Sequence, residues 1–224
     1  MTVAVQFDTS TVPDLEEIDV PGMISPDEEK LYFHIARSCA AQPGKTLEIG
    51  TWLGRSTLRI CQGLEASHSK WNLFCYDRFE WTESHQRKTS GKFEDVLVPG
   101  SSFEWKFREH LGGYADRVMS VQGDVLDTAD RVLGTYFAND RFNALFVDAS
   151  KGWASNRKLL EVLSPHFVHG GEQRTRILFQ DCLYFPGYKL LFLLLALSSL
   201  RPAMYVANGC SVVFEVVGDM RAES

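Results

Sequence analysis

The sequence predicts an α/β fold: a mostly parallel sheet with helices on both faces, closed by an antiparallel hairpin near its C-terminal end. Three observations predict it. From residue 45 to residue 200, short apolar runs alternate with helix-length segments, the pattern of right-handed βαβ units. The short runs are continuously apolar rather than alternating, as in a sheet covered on both faces. The last two runs are separated only by Asn208-Gly209-Cys210, and Asn-Gly is a strong hairpin signal.

Each element follows in order. Residues 1–24 contain Pro13, Pro21 and Gly22 with little periodicity, and read as an irregular arm before a single domain at 25–224. At Ser25-Pro26-Asp27-Glu28, Ser25 can cap a helix, Pro26 suits its first position, and Glu28 can close a capping box. That helix runs to about Ala41 and stops before Pro43-Gly44. Strands are expected at 45–49, 71–76, 118–122, 143–147 and 176–179, and helices at 54–64, 125–137, 153–166 and 188–200. Strands at 203–207 and 211–217 make the closing hairpin. Residues 78–116 interrupt the alternation with an insertion rich in Trp, Phe, Glu, Lys and Arg. It should hold a helix at 103–111 and a mobile segment around Gly91. It reads either as a substrate lid or as a packed surface extension.

The 224 residues suffice for one large self-sufficient core. With 45% apolar and 23% charged residues, the chain is not disordered, collagenous or a coiled coil. Its net charge of -6 argues against a nucleic-acid footprint and against docking on an anionic membrane. The run 190–200, LLFLLLALSSL, is about half of a membrane span and reads as a buried helix, either core or the face of a homodimer. Five cysteines, an odd count without C-x-x-C spacing, argue against zinc and a disulfide framework. They read as reduced, buried thiols of a cytoplasmic protein. The acidic first twenty residues lack the apolar core of a secretion signal.

The first strand runs into Leu47-Glu48-Ile49-Gly50-Thr51-Trp52-Leu53-Gly54-Arg55-Ser56-Thr57. This is acid-x-Gly-x-x-x-Gly at a strand-to-helix turn, where glycines permit tight turns and close ligand approach. Ligands of open α/β sheets bind there, beyond the strand C-termini. Neither G-x-G-x-x-G nor a phosphate loop is present, so the turn points to a nucleoside ligand without phosphates. Asp77, closing the second strand, either accepts from ribose hydroxyls or caps the next segment. Asp124, after the third, either accepts from an adenine amino group or caps the helix at Val125. Trp153 either stacks on the adenine or packs its helix.

This ordered set resembles the class I S-adenosylmethionine-dependent methyltransferases over most of residues 25–217. The resemblance implies a Rossmann-like, seven-stranded sheet with S-adenosyl-L-methionine as cofactor. It implies that Gly50 approaches the methionine part, Glu48 orders the loop and Asp77 takes the ribose. Thr51, Gly54, Ser56, Asp124 and Asp148 complete the expected cofactor site.

Methyl transfer from a sulfonium is an in-line displacement, so the enzyme must align the acceptor and take its proton. Asp148-x-x-Lys151 after the fourth strand and Asp181-x-x-x-x-Pro186-Gly187 after the fifth resemble the catechol and caffeoyl-CoA O-methyltransferases. That likeness implies magnesium on Asp148 and Asp181, with Lys151 at the hydroxyl. Residues 22–28, the loop LEIGTWLGRST and residues 75–80 resemble the macrocin-type sugar O-methyltransferases instead. Together they imply O-methylation of a small, natural-product-like hydroxyl acceptor, aromatic or glycosidic, against residues 79–105. Cys182, Ser150 and Gln180 stand where these groups carry further ligands. Either waters and Gln180 complete a metal site, or the metal was lost and Lys151 or His85 serves as base. A catalytically silent partner subunit is the remaining alternative.

Overall fold

The computed structural model describes residues 4–149, 152–169, 173–184 and 199–218. The strands are β1 (Val5–Gln6), β2 (Lys45–Ile49), β3 (Leu73–Asp77), β4 (Val118–Gln122), β5 (Phe142–Val147), β6 (Arg176–Phe179), β7 (Leu200–Tyr205) and β8 (Val212–Val216). The helices are α1 (Pro26–Ala40), α2 (Arg55–Glu65), α3 (Glu83–Lys88), α4 (Glu104–Leu111), α5 (Val125–Phe137) and α6 (Trp153–Leu163). All eight strands join one sheet in the order β1-β7-β8-β6-β5-β2-β3-β4. Every pairing is parallel except those of β8 with β6 and β7. The seven expected strands are β2 to β8, and the N-terminal arm adds β1 beside β7.

The continuous apolar strands serve two cores. Leu73 and Cys75 of β3 face α1 and α2, while Phe74 and Tyr76 face α5 and α6; Ala144 and Phe146 divide from Leu145 and Val147 of β5 in the same way. Among the described residues no helix is long and apolar enough to cross a membrane. The greasy helix and homodimer face expected at 188–200 lie outside the described residues, save Ser199 and Leu200.

Three expectations need correction. The arm is not wholly irregular. It carries β1, and Phe7, Val12, Ile18, Val20 and Ile24 are buried in the α1/α2 core. Two arginines of α2 hold it down: Arg55 Nη1 donates to the carbonyls of Ile18 (3.2 Å) and Val20 (3.0 Å), and Arg59 Nη2 to that of Glu16 (2.7 Å). Buried Glu29 neutralises both, with Oε1 2.6 Å from Arg55 Nη2 and Oε2 2.5 Å from Arg59 Nη2.

β7 begins earlier than expected, with Leu200 paired to Val216, and the connection between the two strands docks on α1. Glu28 closes the capping box with Ser25 N (2.9 Å) through one oxygen. Its other oxygen accepts from Ser211 Oγ (2.6 Å) and Cys210 N (3.2 Å). The third difference is in the crossover from β5 to β6. Pro165 ends α6 at Leu163, and residues Ser164–His166 continue as a 3-10 turn.

The insertion is a small aromatic core. Phe79, Trp81, Phe103 and Phe107 are fully buried, and the turns around Gly91 are anchored by Phe93 and Leu97. Burying each large ring contributes about 2–3 kcal/mol. α4 lies close to expectation, whereas α3 was not anticipated.

Candidate active site

The loop after β2 is built from alternating left-handed residues: Gly50 (φ 85°), Trp52 (φ 43°) and Gly54 (φ 97°). Gly54 is the N-cap of α2. At Gly50 a Cβ would stand 2.6 Å from Ala149 N, so only glycine lets the end of β2 pass this close to the segment after β5. Trp52 adopts the left-handed region without a glycine's freedom, a strained conformation of the kind held at functional turns.

Two acids hold this loop. Glu48 is buried and accepts from Ser56 Oγ (2.6 Å) and Thr57 Oγ1 (2.6 Å), in the first turn of α2. Burial raises its carboxyl to about 7, against the downward pull of these hydroxyls. Asp77 grips the loop's backbone. Its Oδ2 accepts from Thr51 N (2.7 Å) and Trp52 N (3.1 Å), and its Oδ1 from Phe79 N (2.9 Å).

A cavity of about 420 Å³ lies over this loop, at the C-terminal ends of β2 to β5. Gly50, Trp52, Asp77, Asp124 and Asp148 border it together. Thr51, Ser56 and Asp148 border a smaller recess beside it, closed by Pro21 to Ile24 of the arm. Glu48 and Gly54 border neither, Glu48 acting through its hydroxyl partners and Gly54 through the turn. Asp124 caps α5, accepting from Leu126 N (2.8 Å), while its carbonyl accepts from Tyr76 Oη (2.8 Å). Tyr76 was missed from sequence because its hydroxyl reaches the site only across the β3–β4 edge. Met23 was missed as a lining residue, although residues 22–28 carried part of the macrocin-type resemblance; at Gly22 beside it a Cβ would meet Arg55 Cδ at 2.2 Å. Trp153, 39% exposed, does not border this cavity.

The insertion presents Glu80, Thr82, His85 and Lys88 to the cavity, while Phe79, Trp81, Phe103 and Phe107 turn inward. His85 takes the capping-box place usually held by Glu or Gln: its Nδ1 accepts from Thr82 N (3.3 Å). Its ring lies 5.9 Å from that of Trp52 and 5.3 Å from that of Trp81. Burial holds its pKa below the ordinary histidine value, outweighing the attraction of Asp77. With Nδ1 so engaged, the neutral ring carries its proton on Nε2.

On the other wall, Asp148 N donates to Ile49 O (2.8 Å) at the end of β5. Asp181 follows β6 with a left-handed backbone (φ 56°). Gln180 between them is buried and engaged, its Oε1 accepting from the Tyr32 hydroxyl (2.9 Å). Burial and the nearby Asp148 carboxylate keep that phenol neutral. Burial also pushes the Cys182 thiol up to about 12, so it stays protonated. Ser150 and Lys151 lie outside the described residues. Among the described residues no group of three or more His, Cys, Asp or Glu side chains converges on a metal position. Beside the two carboxylates, the neutral Cys182 thiol and the engaged Gln180 oxygen offer magnesium no further protein ligand among the described residues.

Residues 47–182 match a family model described as a methyltransferase domain. A comparison with curated proteins gives no match. Solved structures share the fold. The O-methyltransferase NovP superposes with a TM-score of 0.62 at 16% identity, covering 88% of this chain and 83% of NovP. CalS11, described as a TDP-rhamnose 3'-O-methyltransferase of calicheamicin biosynthesis, gives 0.61 at 14%, covering 84% and 78%. The O-methyltransferase TomG from Streptomyces achromogenes, in complex with S-adenosylmethionine, gives 0.53 at 18%, covering 88% and 82%.

Proposed function

This chain belongs to the methyltransferase-domain family, and on that premise we propose that it binds S-adenosyl-L-methionine over the 50–54 loop and transfers its methyl group to a hydroxyl of a small, polar, natural-product-like molecule. The observation that carries this reading is the Asp77-clamped loop of left-handed residues flooring a ligand-sized cavity, with Asp148 on its far wall. The bound cofactor supplies a methyl group already activated by its sulfonium.

The protein's own residues bind, orient and take a proton. Gly50 leaves room for the methionine part. Asp77 Oδ1 accepts from a single backbone N–H, which leaves it capacity for a ribose hydroxyl. The adenine lies toward Asp124 and Leu126. Asp148, which borders both recesses, is the group this reading assigns to receive the acceptor's proton. Lys151, three residues further on, is the second candidate. His85 serves as a donor to the ligand rather than as base. Because the described residues bring no third protein ligand to Asp148 and Asp181, no step is routed through a metal.

The polar wall of Glu80, Thr82, His85 and Lys88 supports a glycosidic acceptor over an aromatic one. The buried thiols support a cytoplasmic setting. The test is transfer of a labelled methyl group to a panel of glycosides and phenols, with magnesium or with a chelator. Transfer to a glycoside is expected to survive chelation and to fall by about a hundredfold or more in Asp148→Asn. Transfer to phenols alone, or full turnover in both Asp148→Asn and Lys151→Met, would overturn the assignment.

A further inference from the structure

A second cavity, of about 520 Å³, opens at the opposite end of the sheet. It lies between the first residues of β2, β3 and β5 and the last turns of α1 and α2, away from the loop that holds the proposed cofactor. Lys45, Lys70 and Arg117 border it, and no Asp or Glu is among the described residues that do. Three cations in one concavity contrast with the chain's net charge of -6.

Two structural uses of these cations are weak. Lys45 pairs with Asp140 (2.7 Å) and Arg117 with Glu65 (2.6 Å), but all four side chains are between 27% and 52% exposed, and such pairs hold little energy. The helix ends do not need them as caps. Asn143 Nδ2 shares its two N–H groups among the carbonyls of Cys39 (3.1 Å), Gln42 (3.1 Å) and Gly44 (3.3 Å) at the end of α1, and Ser67 Oγ donates to Leu64 O (2.6 Å) at the end of α2. The Arg117 guanidinium lies over the Trp71 ring, 4.1 Å from its centroid, with Nη1 on Glu65, and its remaining N–H groups are the ones it can offer a ligand. Ser69 and Asn72 add neutral donors on the same wall.

We propose that this cavity binds a small phosphate-bearing anion, with Arg117 as the forked donor and Lys45 and Lys70 as point charges. The site is independent of the methyl-transfer reading. Its test is calorimetric titration of the full chain with inorganic pyrophosphate, and separately with ADP, at low and at physiological salt. One-to-one binding is expected, weakened by salt and by about tenfold in each of Lys70→Glu and Arg117→Gln. Both variants should unfold at the native midpoint and bind S-adenosylhomocysteine as the parent does. Tighter binding of ADP than of pyrophosphate would identify a phosphate ester as the ligand, and equal binding the free anion. No binding of either probe, binding indifferent to both variants, or displacement of pyrophosphate by S-adenosylhomocysteine would overturn the proposal.

Discussion

Asp77→Asn is expected to loosen the 50–54 loop and weaken the cofactor together. The native carboxylate receives three backbone N–H groups, two on Oδ2 at 2.7 and 3.1 Å and one on Oδ1 at 2.9 Å. Asparagine keeps one acceptor oxygen and puts an NH₂ in place of the other. With its oxygen toward Thr51 and Trp52, the Phe79 N–H meets a donor; with the reverse orientation, two N–H groups do. The better orientation loses one bond and the charge on two, a cost of about 2–4 kcal/mol. Trp52 (φ 43°) and Phe79 (φ 49°) are non-glycine residues in the left-handed region, so they relax once released. Urea unfolding should show a lower midpoint at an unchanged slope. Calorimetry with S-adenosylhomocysteine on the same preparation should show at least about a tenfold loss of affinity. Lost affinity at native stability would refute the clamp. Lost stability at native affinity would refute the ribose contact.

Three further outcomes follow from the same geometry. Because Glu48 is raised from 4.5 to about 7 in the folded protein, its contribution is fully present below pH 4.5 and lost as pH rises through 7, by about 3 kcal/mol. The stability of the parent minus that of Glu48→Gln should fall by this amount between pH 4.5 and 8 in urea titrations, and a flat difference would contradict it. Gly50→Ala places a Cβ 2.6 Å from Ala149 N at a φ of 85°, so thermal unfolding should report a loss of about 2 kcal/mol or more; an unchanged midpoint would show that the two chain ends separate at no cost. Arg59→Met leaves Glu29 buried with Arg55 alone and drops one hold on the arm. About 3 kcal/mol should be lost and limited proteolysis should cut before Ser25, whereas an arm as resistant as the parent's would locate its anchor in the buried apolar residues.

What could be read from sequence was what local chemistry specifies. The Ser25–Glu28 box and the apolar runs of β2 and β4 carry their own signals, and the structure places them where those signals point. β1 escaped because two residues show no periodicity, and it exists only through its pairing with β7. α3 escaped because its box is closed by a histidine, which a search for Glu or Gln passes over. The hairpin was legible but its register was not, since Glu28 of α1, nearly two hundred positions away, holds the turn. In the site, the acids at the strand ends were legible as a set. Their division of work was not: Asp77 grips backbone and Asp124 caps a helix, bonds that depend on three-dimensional neighbours. The aromatic-rich insertion pointed to an aromatic or glycosidic acceptor without choosing between them, and packing drew most of its rings inward and left polar groups at the cavity.

The most direct test of the central claim is calorimetric titration of the unmodified protein with S-adenosylhomocysteine, with and without magnesium. The account predicts a single micromolar site whose heat and affinity are the same in both conditions. Binding that requires magnesium would contradict the metal-free site, and absence of binding in every condition would contradict the cofactor cavity itself.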